Sequence, residues 1–377
     1  MKRFIDFLKK VSDFEISARK WCLWVVLTFI GFVGTAVTLV FVVDPYYRYR
    51  LPFFYDTVYN EIYATGPKLL KELDYDTFFL GSSMTRNFFL NDIDEALNVK
   101  SVKFSASGAT TADLVKFFNI AKDAKGNKLK KVFLSLDVYS MNKDPETAHY
   151  KDFEYLYRND LKEEYRYYFS RQTYSAMLYL IKRKFRPSKK RQHQTDPNRM
   201  FSTEYAGMKF GKAVVLEDAV KNVRIHHTMA PENSAVFAKN LREQLLPIIA
   251  DNQNIQFVVY LAPYHIYTYC QSEQFKEADA LIRQRTVVMN ELLKYPNVTL
   301  FDFQADRSFV CNDEYFSDVQ HFSSAAARVL LKKLASGERK ITSIAEINAN
   351  EAELRALIAE QMPSYYADIK NYKEPKR

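Results

Sequence analysis

The sequence predicts an α/β fold: a three-layer α/β/α sandwich around a central five-stranded parallel sheet, preceded by one transmembrane helix. Three observations carry this. Between Thr77 and Leu334, short apolar runs of strand length alternate with longer amphipathic stretches. Such alternation gives parallel strands joined by right-handed crossovers. Ahead of it, Trp21–Val43 runs without a single charged residue. Finally, each predicted strand ends in residues able to bind or react, and open parallel sheets bind ligands at the carboxyl ends of their strands.

At 1.5 Å per residue the charge-free run makes roughly 35 Å of helix, enough to cross a bilayer. Trp21 and Trp24 mark one interface, and Tyr46, Tyr47 and Tyr49 the other. Residues 1–20 carry Lys2, Arg3, Lys9, Lys10, Arg19 and Lys20, with Phe4, Phe7, Leu8, Val11 and Phe14 at helical spacing. This reads as a basic cytoplasmic segment, possessing a short interfacial helix. The basic side is N-terminal, so everything after Asp44 is expected outside the cell membrane. Ala36 is the lone alanine of the run, which leaves no small-x-small cleavage site, so the helix reads as an uncleaved anchor.

Residues 44–74 form a juxtamembrane connector rich in Tyr and Pro. The main domain spans 75–340. Its first strand is Thr77–Leu80, which Gly81 breaks; a helix is expected from Met84, continuing over Asn91–Leu97. Ser101–Phe104 is the second strand, Thr111–Lys122 a helix and Lys130–Leu136 the third strand. The alternation then stops, and 142–231 reads as a polar, aromatic, basic insertion with weak helices around Lys151–Tyr168 and Thr173–Lys184. It resumes with a helix over Ser234–Ala250, a strand over Ile255–Leu261, a helix over Ser272–Leu293, a strand over Val298–Phe303 and a final helix over Ser323–Leu334. Residues 341–377 read as an amphipathic helix and a polar tail.

The 377 residues carry a net charge of +9, with 26 Tyr and 29 Phe. A basic balance favours anionic partners such as lipid head groups or an acidic polymer. No nucleic-acid motif is present, so nucleic acid is not expected as a partner. Between Glu164 and Asp196 there is no acid, but nine basic residues: Arg166, Arg171, Lys182, Arg183, Lys184, Arg186, Lys189, Lys190 and Arg191. That stretch reads either as a solvated loop or as a cradle for an anionic membrane or glycopolymer. Nothing has zinc-ligand spacing, and neither a metal nor another cofactor is expected. Cys270 and Cys311 would lie outside the membrane, as a disulfide or as two separate buried thiols.

The chemistry collects at the strand ends. Strand one ends at Ser82-Ser83, hydroxyls at a strand-to-helix turn where free N–H groups hold developing negative charge. A serine needs a base, and the base an orienting group. Asp318 and His321, three residues apart before the final helix, supply both. Strand two ends at Ser107-Gly108, and a glycine N–H approaches a reacting oxygen unobstructed. With the N–H of the nucleophile it would form an oxyanion hole. Strand three leads to Asp137 and Tyr139. Asp137 either orients Ser82 and the pocket backbone or is a turn aspartate. Strand four leads to His265, either a pocket residue or a hydrogen-bonded structural histidine. His149, His193, His226 and His227 read as surface residues.

Gly81-Ser82-Ser83, Ser107-Gly108-Ala109-Thr110 and Asp318-x-x-His321, in this order on alternating elements, resemble the SGNH/GDSL hydrolase superfamily. More narrowly, the chain is similar to its membrane-anchored members in cell-envelope polymer modification, such as the D-alanyl transfer protein of lipoteichoic acid synthesis and the alginate O-acetylation proteins. The resemblance covers roughly 74–142 and 234–334. It implies a flavodoxin-like sheet of SGNH type, a serine esterase or O-acyltransferase activity, Ser83 as nucleophile, His321 as base and Asp318 as its orienter. It places the oxyanion hole on Ser83 and Gly108. It also implies a cell-envelope polymer or glycan substrate and a multi-spanning membrane O-acyltransferase as partner; a non-catalytic scaffold of such a complex is the alternative. Two positions depart from the pattern. Ser82 stands where the hydrolases have aspartate. The family's Gly-x-Asn-Asp is absent, Leu136–Asn142 standing in its place, so the third oxyanion donor is Tyr139, Asn142 or nothing.

Overall fold

The computed structural model describes residues 17–372 apart from 60, 159, 188, 205–206 and 226–232, and for 189–191 the backbone alone. Most of the basic segment before Trp21 therefore lies outside the described residues, as do His226 and His227.

Helix α1, Ala18–Val43, is long and apolar enough to cross a membrane. It starts before Trp21 because Arg19 and Lys20 are good helix formers that extend it. It ends at Asp44, which takes the left-handed conformation (φ 46°). The Asp44 carboxylate accepts the N–H groups of Arg48, Tyr49 and Arg50 at 2.9, 2.9 and 3.0 Å, and the Tyr167 hydroxyl at 2.6 Å. The connector is thus a bonded joint rather than a loose tether.

After α2 (Ile62–Glu72) comes β1 (Thr77–Ser82), then α3 (Leu90–Leu97), β2 (Ser101–Ala106), α4 (Thr111–Lys125) and β3 (Lys131–Leu136). The short α5 (Val138–Met141) leads into the insertion, which holds α6 (Leu161–Phe169), α7 (Arg171–Phe185) and α8 (Lys212–Arg224). The chain returns through α9 (Ser234–Lys239), a π-helical segment over Asn240–Leu245 and α10 (Leu246–Ala250). Pro247 at the start of α10 interrupts the ladder, and the wider turn before it absorbs the missing donor. Then follow β4 (Gln256–Leu261), α11 (Ile266–Gln274), α12 (Ala278–Leu292), β5 (Val298–Asp302), α13 (Arg307–Val310), α14 (Ser324–Ser336), β6 (Lys340–Ile341) and α15 (Ile344–Asn371).

The sheet has six strands in the order β2-β1-β3-β4-β5-β6. The first five are parallel and β6 pairs antiparallel with β5. The expected all-parallel five-stranded sheet is therefore a mixed six-stranded one. Its extra strand is two residues long, too short to show periodicity. Left-handed turns at Gly337 (φ 78°) and Arg339 (φ 64°) fold the chain back beside β5, so the strand runs antiparallel. Every residue of β1 and β2 is buried, so both faces of the sheet are covered. Phe78, Phe79 and Leu80 are fully buried, each contributing about 1.5–3 kcal/mol.

Two further differences are local. The expected long helix over 272–293 is two helices, broken where Lys276 takes a φ of 62°. Helix α15 packs Ile347, Leu354, Leu357 and Ile358 into the main core, and its Asn350 donates to Asp302 at 3.0 Å. Asp302, at the end of β5, also holds the buried Arg285 of α12. The strand order reverses between β1 and β3, the place where such sheets open a crevice at their carboxyl ends.

Candidate active site

The turn after β1 is built by close approach. A Cβ on Gly81 would lie 2.5 Å from Thr85 Cγ2 and 2.8 Å from Ser135 Cβ. Glycine does not break the strand here; it lets β1 run on through Ser82 while Thr85 folds back over it. Thr85 Oγ1 lies 2.9 Å from the Ser82 carbonyl and 2.7 Å from Ser105 Oγ. Ser83–Thr85 forms only one 3-10 turn, and helix α3 waits until Leu90. The expected helix from Met84 is absent because Phe88 is drawn into the core instead. With no α-helix beginning at Ser83, only the individual N–H groups of the turn remain to hold an anion.

Opposite this turn, residues 316–322 form a tight loop closed by the Phe316–Phe322 bridge. Inside it, Asp318 Oδ1 accepts the N–H groups of Gln320 and His321, both at 2.7 Å. Its Oδ2 meets His321 Nδ1 at 2.8 Å, and His321 Nε2 meets Ser83 Oγ at 2.9 Å. Residues 238 positions apart thus form one chain of hydrogen bonds. Burial pushes the Asp318 carboxyl up, but the His321 ring, its charge and the two N–H donors overrule it and hold the group below the usual carboxylate range. With Nδ1–H donated to Asp318, Nε2 is left as an acceptor facing the Ser83 hydroxyl.

Several supports of this pair gave no signal in the sequence reading. Asn87 Nδ2 donates to the Phe322 carbonyl at 2.7 Å, tying the serine turn to the histidine loop. Lys103, fully buried in β2, donates to the carbonyls of Arg86 and Phe88 at 2.7 and 2.5 Å. Burial, with the nearby Arg86 and Arg199, drives its ammonium well below the ordinary lysine range. Asp218 of α8 accepts the Val319 N–H at 3.3 Å, and burial and the Asp318 charge raise its carboxyl. Each is a lone polar residue whose partner belongs to another element, so no spacing rule finds it.

A cavity of about 210 Å³ opens beside Ser83, lined by Ser82, Ser83, Met84, Ser107, Gly108, Asp137, Tyr139, Tyr264, Gln320 and His321. Gly108 sits in the left-handed region (φ 65°), and its carbonyl accepts Lys143 Nζ at 2.7 Å. Lys143 in turn lies 4.4 Å over the Tyr139 ring. Asp137 lines the cavity, but its Oδ1 caps the turn, accepting the N–H and Oγ of Ser140 at 2.8 Å each. It bonds to no atom of Ser82, so the turn-aspartate reading describes its contacts. Asn142 is absent from the lining: its amide is paired with Gln284 at 2.6 and 2.9 Å. Of the two residues considered as third donor, Tyr139 alone faces the cavity.

His265 is not a pocket residue. It is 1% exposed, bonds Asp313 Oδ1 through Nε2 at 2.9 Å and accepts the Tyr267 N–H at 3.2 Å. The residue after β4 that does line the cavity is its neighbour Tyr264. His149 is only half-exposed, stacked 5.5 Å from the Tyr63 ring and 3.2 Å from Asp113. His193 is also partly buried. Cys270 and Cys311 are unbridged, and burial pushes their thiols up to about 12 and about 11. Among the described residues, no group of three His, Cys, Asp or Glu is placed to hold a metal ion.

The arrangement is competent for nucleophilic attack by Ser83 on a small carbonyl group in the cavity, with His321 as proton acceptor. Compared with known family models, curated proteins and solved structures, the chain matches none of them.

Proposed function

We propose that the protein is a membrane-anchored, extracytoplasmic serine esterase or O-acyltransferase of SGNH type, acting on acyl groups of a cell-envelope polymer or glycan. The observation that carries this is the hydrogen-bonded series Ser83 Oγ, His321 Nε2, His321 Nδ1, Asp318 Oδ2, with steps of 2.9 and 2.8 Å. Such a series can act as nucleophile, base and orienter regardless of fold.

In this reading Ser83 Oγ attacks the carbonyl carbon of an acyl ester or thioester as its proton passes to His321 Nε2. The N–H groups of Ser83 and Gly108 take the oxyanion, each worth about 3 kcal/mol at the transition state. Collapse expels the alcohol or thiol, which takes the proton from His321, and leaves an acyl group on Ser83. A water or a polymer hydroxyl then gives its proton to His321 Nε2 and attacks the acyl carbon; the acyl–Oγ bond breaks and Ser83 Oγ takes the proton back from His321, restoring both residues. A cavity of about 210 Å³ is below the roughly 300–1,000 Å³ of drug-sized sites, which favours a small acyl group with the polymer outside. Helix α1 and the preceding basic residues support an anchor with the main domain outside the cytoplasm. A multi-spanning O-acyltransferase is the expected partner.

A second reading, a non-catalytic scaffold of such a complex, rests on the absence of the family's asparagine block and on the pairing of Asn142 with Gln284. One experiment separates the two. The purified full chain is treated with a serine-directed phosphonate, and the adduct is weighed and mapped. Labelling at Ser83 that Ser83→Ala and His321→Ala abolish is the expected result. Absence of labelling in folded protein, with Ser83→Ala restoring polymer modification in a deletion strain, sinks the enzyme reading.

A further inference from the structure

Five of the ten exposed large apolar side chains outside α1, among the described residues, sit on the adjacent helices α6 and α7: Leu161, Tyr165, Phe169, Leu178 and Phe185. They are not scattered. Leu161, Tyr165 and Phe169 recur every four residues along α6, and Leu178 and Phe185 lie two turns apart on α7. Leu161 is 88% and Phe185 78% exposed. Exposed basic side chains stand among them: Lys162 on α6, Arg171, Lys182 and Lys184 on α7. The acids of α6 are withdrawn, Glu163 buried and Glu164 paired with Arg48. Apolar residues mixed with cations on the exposed sides of two adjacent helices match a bilayer interface rather than water.

The joint at the end of α1 decides where this surface lies. Tyr49 packs on Phe41 of α1 at 5.4 Å and stacks on Tyr168 of α6 at 6.3 Å. The Tyr46 hydroxyl donates to the Gln172 carbonyl of α7 at 3.3 Å. Arg48, nearly fully buried, reaches the carbonyls of Tyr155 and Arg158 at 2.5 and 2.6 Å. The exposed apolar surface of α1 continues through Leu39, Phe41 and Val42. The hydrocarbon edge of a bilayer around α1 therefore reaches Phe41, and the residues packed on Phe41 stand at that edge.

We propose that α6 and α7 lie in the interfacial layer of the bilayer that α1 spans, with their apolar side chains among the acyl chains and their cations on anionic head groups. The domain is then seated on the membrane in one orientation instead of swinging on a linker, so its substrate is met at the bilayer surface. This rests on the reading of α1 as a membrane anchor.

The test uses the full chain with Cys22→Ser and Cys311→Ser, in nanodiscs, carrying an NBD fluorophore on one introduced cysteine. Phe29→Cys reports on α1; Tyr165→Cys, Leu178→Cys and Phe185→Cys report on the proposed surface; Val287→Cys, exposed on α12, is the control. The expected result is blue-shifted emission, quenched by doxyl-labelled lipid, at positions 29, 165, 178 and 185 and not at 287. Adding phosphatidylglycerol to phosphatidylcholine should increase quenching at position 178, and Arg171→Gln with Lys182→Gln should remove the increase. No increase overturns the anionic preference. Quenching at 29 without quenching at 165, 178 and 185 overturns the proposal and leaves the surface to a protein partner. No quenching at 29 overturns the anchor reading itself.

Discussion

Replacing Asp318 by asparagine changes one atom and should reverse one hydrogen bond. Oδ1 accepts two backbone N–H groups at 2.7 Å, and neither donor can turn round. The new amide oxygen is therefore held at the Oδ1 position, and its NH2 group takes the Oδ2 position, 2.8 Å from His321 Nδ1. Two donors cannot face each other there, so Nδ1 becomes the acceptor and the ring proton moves to Nε2. Nε2 then presents a hydrogen to Ser83 Oγ, 2.9 Å away, and cannot take one. Flipping the amide to recover the working tautomer sacrifices both backbone bonds, roughly 3–6 kcal/mol for the pair. That corresponds to a loss of about 10²–10⁴ in rate, and similar changes in other triads reach about 10⁴. The assay is the rate of phosphonate labelling of the purified full chain, with a thermal melt to establish folding. A folded Asp318→Asn protein that labels at the wild-type rate refutes the argument, because the tautomer would then not matter.

Acid should act on the same residue. A carboxyl held below its unfolded value contributes stability above about pH 4, and loses it as pH falls through the lowered native value. The gap in melting temperature between wild type and Asp318→Asn is therefore expected to close in an acid titration, and a gap that widens instead contradicts the sign. Gly81→Ala brings a Cβ within 2.5 Å of Thr85 and 2.8 Å of Ser135, in a turn pinned by two hydrogen bonds. It should lower stability by about 1–3 kcal/mol in denaturant titration and reduce labelling of Ser83. His265→Gln breaks the Asp313 contact away from the cavity, so the melting temperature should fall while labelling of folded protein persists; labelling lost from a folded variant would return His265 to the site.

The sequence by itself determined the long apolar helix, the α/β class and the five parallel strands; spacing singled out Asp318 and His321, and the family resemblance chose Ser83 over Ser82. Those features rest on local quantities: uninterrupted apolar length, the period of burial along a strand, a glycine at a turn, and two residues three apart. Tertiary structure decided the rest, because it depends on what lies opposite. Thr85 and Ser135, 50 residues apart, explain why Gly81 continues the strand instead of ending it. Whether His265 or Tyr264 entered the cavity depended on Asp313, which captures the histidine ring. Asn142 was lost to the site because Gln284, on a helix across the domain, satisfies its amide. The sixth strand was too short to carry a period, and only its place beside β5 makes it one. The basic insertion could be read from its composition as a loop or a cradle. Its helices α6 and α7 acquire a position relative to α1 through hydrogen bonds such as those of Asp44 and Arg48 to partners more than 100 positions downstream.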